Sequence, residues 1–187
     1  SISEGRKPVI AYTAGFSDRP AEVATIGANG KDNKVLTELN ADVLPFLDMA
    51  KVEEIHVASS ADGREIEAWV ALPPDFKADG SFPMILEIHG GPYAMYSPFF
   101  GSEIQRYAAE GYVTVWSNPR GSTGYGEEFA QLIDLAYPGN DYDDLMSVVD
   151  ELVAKDYVSE DRLFITGGSG GGILTAWTVT KTDRFAA

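Results

Sequence analysis

Six consecutive residues, Gly167-Gly168-Ser169-Gly170-Gly171-Gly172, constrain the fold of this chain more than any other stretch. An apolar, β-branched run, Leu163-Phe164-Ile165-Thr166, leads into them, and a helix-compatible run, Ile173-Leu174-Thr175-Ala176-Trp177, leads out. A chain that passes from strand to helix through a glycine-flanked serine must turn sharply, and glycine tolerates both the backbone angles and the close packing of such a turn. Strand, tight turn, apical serine and helix form the context of a G-x-S-x-G nucleophile elbow, in which the serine Oγ stands exposed above the end of a sheet. Two phosphate-binding readings fail here. The spacing G-x-G-x-x-G begun at Gly168 meets Ile173 at its last position, and begun at Gly170 it meets Thr175. A P-loop needs a lysine directly after the last glycine, and the first lysine beyond it is Lys181.

The rest of the chain changes character once. Residues 1–47 read as short strands: Val9–Thr13, Glu22–Gly27 running into the turn Ala28-Asn29-Gly30, and Lys34–Thr37. So few strands cannot bury a core alone, so this segment is expected to be the end of a larger β structure, with a local meander packed on the main domain as the alternative. Asn40 to Met49 is a connector containing Pro45. Val52–Ala58 and Glu65–Leu72 alternate around Asp62-Gly63 and predict a β-hairpin. From Phe82 strand and helix alternate: strand Met84–Ile88, helix Phe99–Glu110 closed by Gly111, strand Tyr112–Trp116, a glycine-rich loop Asn118–Gly126, and a short helix Glu127–Asp134. The best helix is Asp141–Lys155, with Tyr142, Leu145, Met146, Val149, Leu152 and Val153 on one face. Asp141 is expected to cap it, and Asp143 and Asp144 to complement its dipole rather than bind calcium. Arg162–Thr166 is the strand entering the elbow and Gly170–Lys181 the helix leaving it. This alternation predicts an α/β fold with a largely parallel sheet and helices on both faces.

Composition removes several function classes. Asp and Glu number 29 against 14 Lys and Arg, a formal net charge of -15, which repels phosphate backbones and anionic lipid. Nucleic-acid and membrane partners are therefore not expected. There is no cysteine, and the only histidines are His56 and His89, too few for a usual zinc site, so neither metal nor cofactor is expected. No apolar run approaches the ~20 residues of a membrane span. The chain reads as soluble, and nothing in it separates a cytoplasmic from a periplasmic or secreted location.

Ser169 needs a general base and oxyanion donors to act as a nucleophile. The N–H of Gly170 is one donor an elbow supplies, and the second comes from the loop after an earlier strand. His89-Gly90-Gly91-Pro92 follows the strand Met84–Ile88 and suits that role. His89 is expected to shape this loop rather than act as base, and His56 to be an ordinary strand residue.

Three stretches together carry a family resemblance: Leu86-Glu87-Ile88-His89-Gly90-Gly91-Pro92, then Gly111-Tyr112-Val113 through Asn118-Pro119-Arg120-Gly121-Ser122-Thr123-Gly124-Tyr125-Gly126, then Asp141 through the elbow. In these the chain resembles the prolyl oligopeptidase family of serine peptidases, in its acylaminoacyl-peptidase and dipeptidyl-peptidase-like branch. The resemblance implies the end of a β-propeller over residues 1–47 and the N-terminal portion of an α/β-hydrolase domain over residues 48–187. It also implies Ser169 as nucleophile, Gly91 and Gly170 as oxyanion N–H donors, and a peptide as substrate. Many relatives have tyrosine after the serine, where this chain has Gly170. In such folds the triad Asp and His follow the serine. Residues 170–187 hold no histidine, and their one acid, Asp183, reads as a solvated charge. The chain is thus expected to be a fragment, inactive alone, whose sheet is completed by a missing C-terminal segment or another chain. A homo-oligomer stays open. So do two other functions, a carboxylesterase and a non-catalytic hydrolase-like module.

Overall fold

The computed structural model describes residues 1–5, 7–78 and 81–187, arranged around two sheets. The first is an antiparallel meander of β1 (Val9–Ala14), β2 (Glu22–Gly27) and β3 (Lys34–Val35), in that spatial order. The third strand is shorter than its sequence pattern, because Thr37 leaves the ladder to serve Glu22. The Glu22 carboxylate is buried and accepts bonds from the Thr37 hydroxyl and, at 2.9 Å, the Leu39 N–H, pinning the exit from this sheet. A 3₁₀ turn at Leu44–Phe46, with Pro45 in its first positions, carries the chain onward.

The second sheet holds β4 (Lys51–Ala58), β5 (Glu65–Leu72), β6 (Phe82–Ile88), β7 (Val113–Ser117) and β8 (Val158–Gly167) in the order β4-β5-β7-β6-β8. The hairpin forms as expected, in register from Lys51 opposite Leu72 to Ala58 opposite Glu65. The largely parallel sheet does not. β4–β5 and β5–β7 pair antiparallel, and only β7–β6 and β6–β8 pair parallel. The reason lies in β5. Ile66, Ala68, Val70 and Leu72 are buried on one face, and Trp69 and Ala71 on the other. A strand apolar on both faces cannot sit in an isolated hairpin and is driven to a central position, with polar-alternating β4 left at the edge.

Period-two alternation then sorts the core into two layers. One face of the sheet presents Met84, Leu86 and Ile88 of β6, Val113 and Val115 of β7, and Leu163 and Ile165 of β8 to the helices α3 (Asp141–Val153) and α4 (Gly170–Thr178). Each of these side chains contributes about 1.5–3 kcal/mol by leaving water. The opposite face packs Trp69 and Trp116 against Ile104 and Ala108 of α1 (Ser102–Ala109). Gly111, at φ +88°, lies just past the end of α1, as a C-terminal glycine stop requires. The short helix α2 (Glu127–Gln131) ends earlier than its pattern suggested.

Two acids at the start of α3 are placed differently from expectation. The N-cap residue is Asn140, and Asp141 instead folds its Oδ1 onto the N–H groups of Gly139 and Tyr142, at 2.6 and 3.0 Å. Asp144 is fully buried and faces Arg120, not the dipole, because the inner face of α3 lies over the 118–126 loop. At the far side of the sheet Phe185 bridges Leu163 in the parallel sense, Ala186 N–H reaches Leu163 O at 2.8 Å, and Ile165 N–H reaches Ala187 O at 3.0 Å. These bonds lay the segment 185–187 parallel along the outer edge of β8.

Candidate active site

β8 ends at Gly167 and α4 begins at Gly170, so two residues make the whole turn. Ser169 carries it at φ 56°, ψ -117°, outside the left-handed well that tolerates side chains. Such a conformation costs on the order of 1–3 kcal/mol and persists only where its surroundings over-determine it. Here they do. Gly171 N–H bonds Gly168 O at 3.0 Å and Ile173 N–H bonds Ser169 O at 3.1 Å, closing the first turn of the helix. A Cβ on Gly171 would lie 2.1 Å from Ile88 O, so the elbow rests backbone against backbone on the end of β6. Ser169 is exposed while Gly170 is buried.

The loop after β6 closes on this turn. A Cβ on Gly170 would stand 3.0 to 3.1 Å from the backbone of Gly91, and one on Gly90 would stand 3.2 Å from Ser169 Cβ. The three residues singled out in the sequence, Ser169, Gly170 and Gly91, are thus brought together. Gly91 holds φ +125°, which only glycine adopts freely. Gly170 opens α4, so its N–H has no acceptor within the helix and sits at the positive end of the dipole.

Neither histidine serves Ser169. His89 is buried, with Nδ1 2.7 Å from Gly90 O and Nε2 2.9 Å from Ser122 Oγ, and its ring stands edge-on to Tyr96 at 5.3 Å between centroids. Burial lowers its pKa from the ordinary imidazole value, so the ring is neutral. It shapes the loop, as expected. His56 lies on β4, at the opposite edge of the sheet from β8. Four strand spacings separate these two strands, roughly 19 Å. Glu54, His56 and Glu67 form the one group of metal-type ligands found among the described residues, their ligand atoms within 4.8 Å of one another. This group is on the exposed hairpin, and both imidazole nitrogens already face carboxylates, Glu54 at 3.0 Å and Glu65 at 3.2 Å.

Several supporting residues went unassigned in the sequence. Arg120 donates through its backbone N–H, Nε and Nη2 to the Asp144 carboxylate at 2.8 to 2.9 Å, and also reaches Asp62 and Ser59 on the hairpin. The 118–126 loop is thereby fastened to both α3 and the β4–β5 turn. Asn118 ties the same loop to Tyr96, accepting its N–H at 2.8 Å and donating to its carbonyl at 3.0 Å. Tyr137 donates its hydroxyl to Gly170 O at 2.6 Å, bracing the first turn of α4. The loop itself stood out in the sequence; these partners, far away along the chain, did not.

Residues 98–187 match the profile of the Prolyl oligopeptidase family. The uncharacterized peptidase YuxL of Bacillus subtilis is 42% identical over 171 residues, which cover 91% of this chain and 26% of that protein. Dipeptidyl-peptidase 5 of Porphyromonas gingivalis is 35% identical over 131 residues, 68% of this chain and 19% of its own. An acylaminoacyl peptidase solved in complex with Z-Gly-Gly-Phe-chloromethyl ketone superposes with a TM-score of 0.86 at 30% identity, covering 99% of this chain and 29% of that one. The chain spans about a fifth to a quarter of the length of these curated relatives. In its fold, in the profile of residues 98–187 and in these relatives, the chain belongs to the prolyl oligopeptidase family of serine peptidases.

Proposed function

We propose that Ser169 is the nucleophile of a peptidase that hydrolyses short peptides, as an exopeptidase or oligopeptidase, through an acyl-enzyme. The observation that carries this is the strained, exposed Ser169 on a strand–turn–helix, in contact with a glycine loop. Ser169 Oγ attacks the scissile carbonyl carbon, and its proton passes to a base. The carbonyl oxygen becomes an oxyanion, received by the N–H groups of Gly170 and Gly91. Collapse expels the amine with a proton, and water then releases the acyl group by the same route. The base and its orienting acid lie outside residues 1–187, since His89 is engaged by its own loop and His56 is across the sheet. Residues 1–47 belong to the end of a propeller and residues 48–187 to the hydrolase domain. A relative bound to a peptide chloromethyl ketone supports the peptide as substrate class.

The test is Ser169→Ala in the full-length protein, assayed on peptide amides and on carboxylic esters. Peptidase activity should fall by about four to six orders of magnitude, and labelling by a fluorophosphonate should disappear. Activity retained in Ser169→Ala removes the assignment. A kcat/KM confined to esters makes the protein a carboxylesterase, and an inert wild type makes it a non-catalytic module. The isolated 1–187 polypeptide should label far more slowly than the full-length protein.

A further inference from the structure

We infer that Ser122 and His89 form a lock on the Gly90–Gly91 peptide plane, making Ser122 a positioning residue for the oxyanion donor; this rests on Ser169 being the nucleophile. The carbonyl of Gly90 and the N–H of Gly91 belong to one planar peptide unit and point in opposite directions. Whatever grips the first aims the second. That grip is His89, whose Nδ1 stands 2.7 Å from Gly90 O. A carbonyl only accepts, so Nδ1 carries the ring proton, and the neutral ring leaves Nε2 as an acceptor. Ser122 Oγ faces Nε2 at 2.9 Å, and the same hydroxyl lies 2.6 Å from Pro119 O, so its one proton is shared between two acceptors.

The peptide needs holding because close packing confines where it sits but not which way its plane faces. Gly90 and Gly91 have no side chains, and Gly91 sits at φ +125°. Rotation of the plane would turn a carbonyl toward the oxyanion in place of an N–H, replacing attraction by repulsion. Ser122 is well placed to prevent this. It is fully buried and lies two residues after Arg120, whose buried pair with Asp144 anchors that loop to α3. The order of support runs from α3 through Arg120 to Ser122, then His89, then the Gly90–Gly91 peptide.

The experiment is a double-mutant cycle in the full-length protein with Ser122→Ala and His89→Phe, the second keeping a ring against Tyr96 but removing both nitrogens. A peptide aldehyde reports the oxyanion, because Ser169 Oγ adds to its carbonyl carbon. A non-cleavable peptide amide reports ground-state binding alone. Each single variant should lose about tenfold in kcat and in aldehyde affinity, less than the 10²–10³ of deleting a donor, with KM and amide affinity held. The double variant should lose no more than His89→Phe, because both act through one contact. Unchanged aldehyde affinity in both single variants, or losses that multiply in the double, overturns the lock. A drop in aldehyde and amide affinity together points to a general structural role and also overturns it. If Ser122→Ala does not fold, His89→Phe alone carries the test. Activity surviving Ser169→Ala would instead sink the nucleophile reading.

Discussion

The elbow and the Arg120 network hold neighbouring loops by opposite means. Gly90, Gly91, Gly170 and Gly171 bring the end of β6 and the start of α4 into backbone contact with no side chain between them. Arg120, Asp144 and Asp62 join a loop, a helix and a hairpin through long side chains and a buried charge. The first arrangement is rigid because it has no room: every added atom meets main chain. The second is rigid because it has no alternative: an arginine side chain 5% exposed cannot recover its lost hydration elsewhere. The donors that would meet an oxyanion belong to the first kind, and the supports beneath them to the second.

Filling the glycine contact should break the molecule most severely. In Gly171→Val the new Cβ falls 2.1 Å from Ile88 O and 2.9 Å from His89 O, and no rotamer moves a Cβ. A cost above about 5 kcal/mol is expected, comparable to the whole stability of many domains. Little folded full-length protein should be recovered, and limited proteolysis should cut within residues 48–187. A variant that folded normally would show that the elbow has slack, and the contrast drawn above would fail.

Asp144→Leu comes next. It strands Arg120 in the interior without its main partner, at about 3–5 kcal/mol in urea unfolding of the full-length protein. Asp62→Asn should cost a small fraction of that, because the Asp62 side chain is 38% exposed and water replaces it. The pH dependence has a definite sign. The Arg64 N–H, then Arg120, holds the Asp62 pKa below its usual value. Its stabilisation is therefore present above the unfolded-state pKa and lost as pH falls through the lower folded-state pKa. Wild type and Asp62→Asn should converge in acid. Equal losses for Asp144→Leu and Asp62→Asn would mean that the charge, not its burial, holds the loop.

The two regions also differ in how far the sequence exposes them. The elbow was legible because its parts are adjacent: a strand, a serine among glycines and a helix, each demanding the next. Gly91 was legible at one remove, as a glycine pair at the end of an apolar run. The mixed sheet was not, because pairing β5 with β7 joins residues such as Val70 and Val115, and alternation within a strand does not name its neighbour. Asp144 misled for a related reason. Three acids in the first turn of a helix look like dipole complements, and only the fold reveals that one of them faces inward toward Arg120, 24 residues earlier along the chain. Ser122 lay inside a stretch flagged by resemblance, yet its partner His89 stands 33 residues away.

The smallest expected effect concerns Asp141, which sits beneath both regions and belongs to neither. It borders the same small cavity as Ile88, His89, Arg120, Tyr137 and Leu174. Its Oδ1 is satisfied by Gly139 and Tyr142, while Oδ2 is buried and has no partner among the described residues. Burial raises its pKa, the two backbone bonds oppose the rise, and the nearby Asp144 charge adds to it. Folding therefore makes protonation of Asp141 easier than it is in the unfolded chain. Its contribution is fully present below the unfolded-state pKa and is lost as pH rises through the higher folded-state value. Asp141→Asn keeps the Oδ1 acceptor and is neutral at every pH. It should stabilise the full-length protein at neutral pH by on the order of 1 kcal/mol, seen as a higher urea midpoint. The gain should vanish below about pH 3, where the wild-type carboxyl is neutral in both states. Destabilisation at neutral pH would instead mean that Asp141 is held as a carboxylate, a third acid serving Arg120, and the charged network would then extend under the elbow itself.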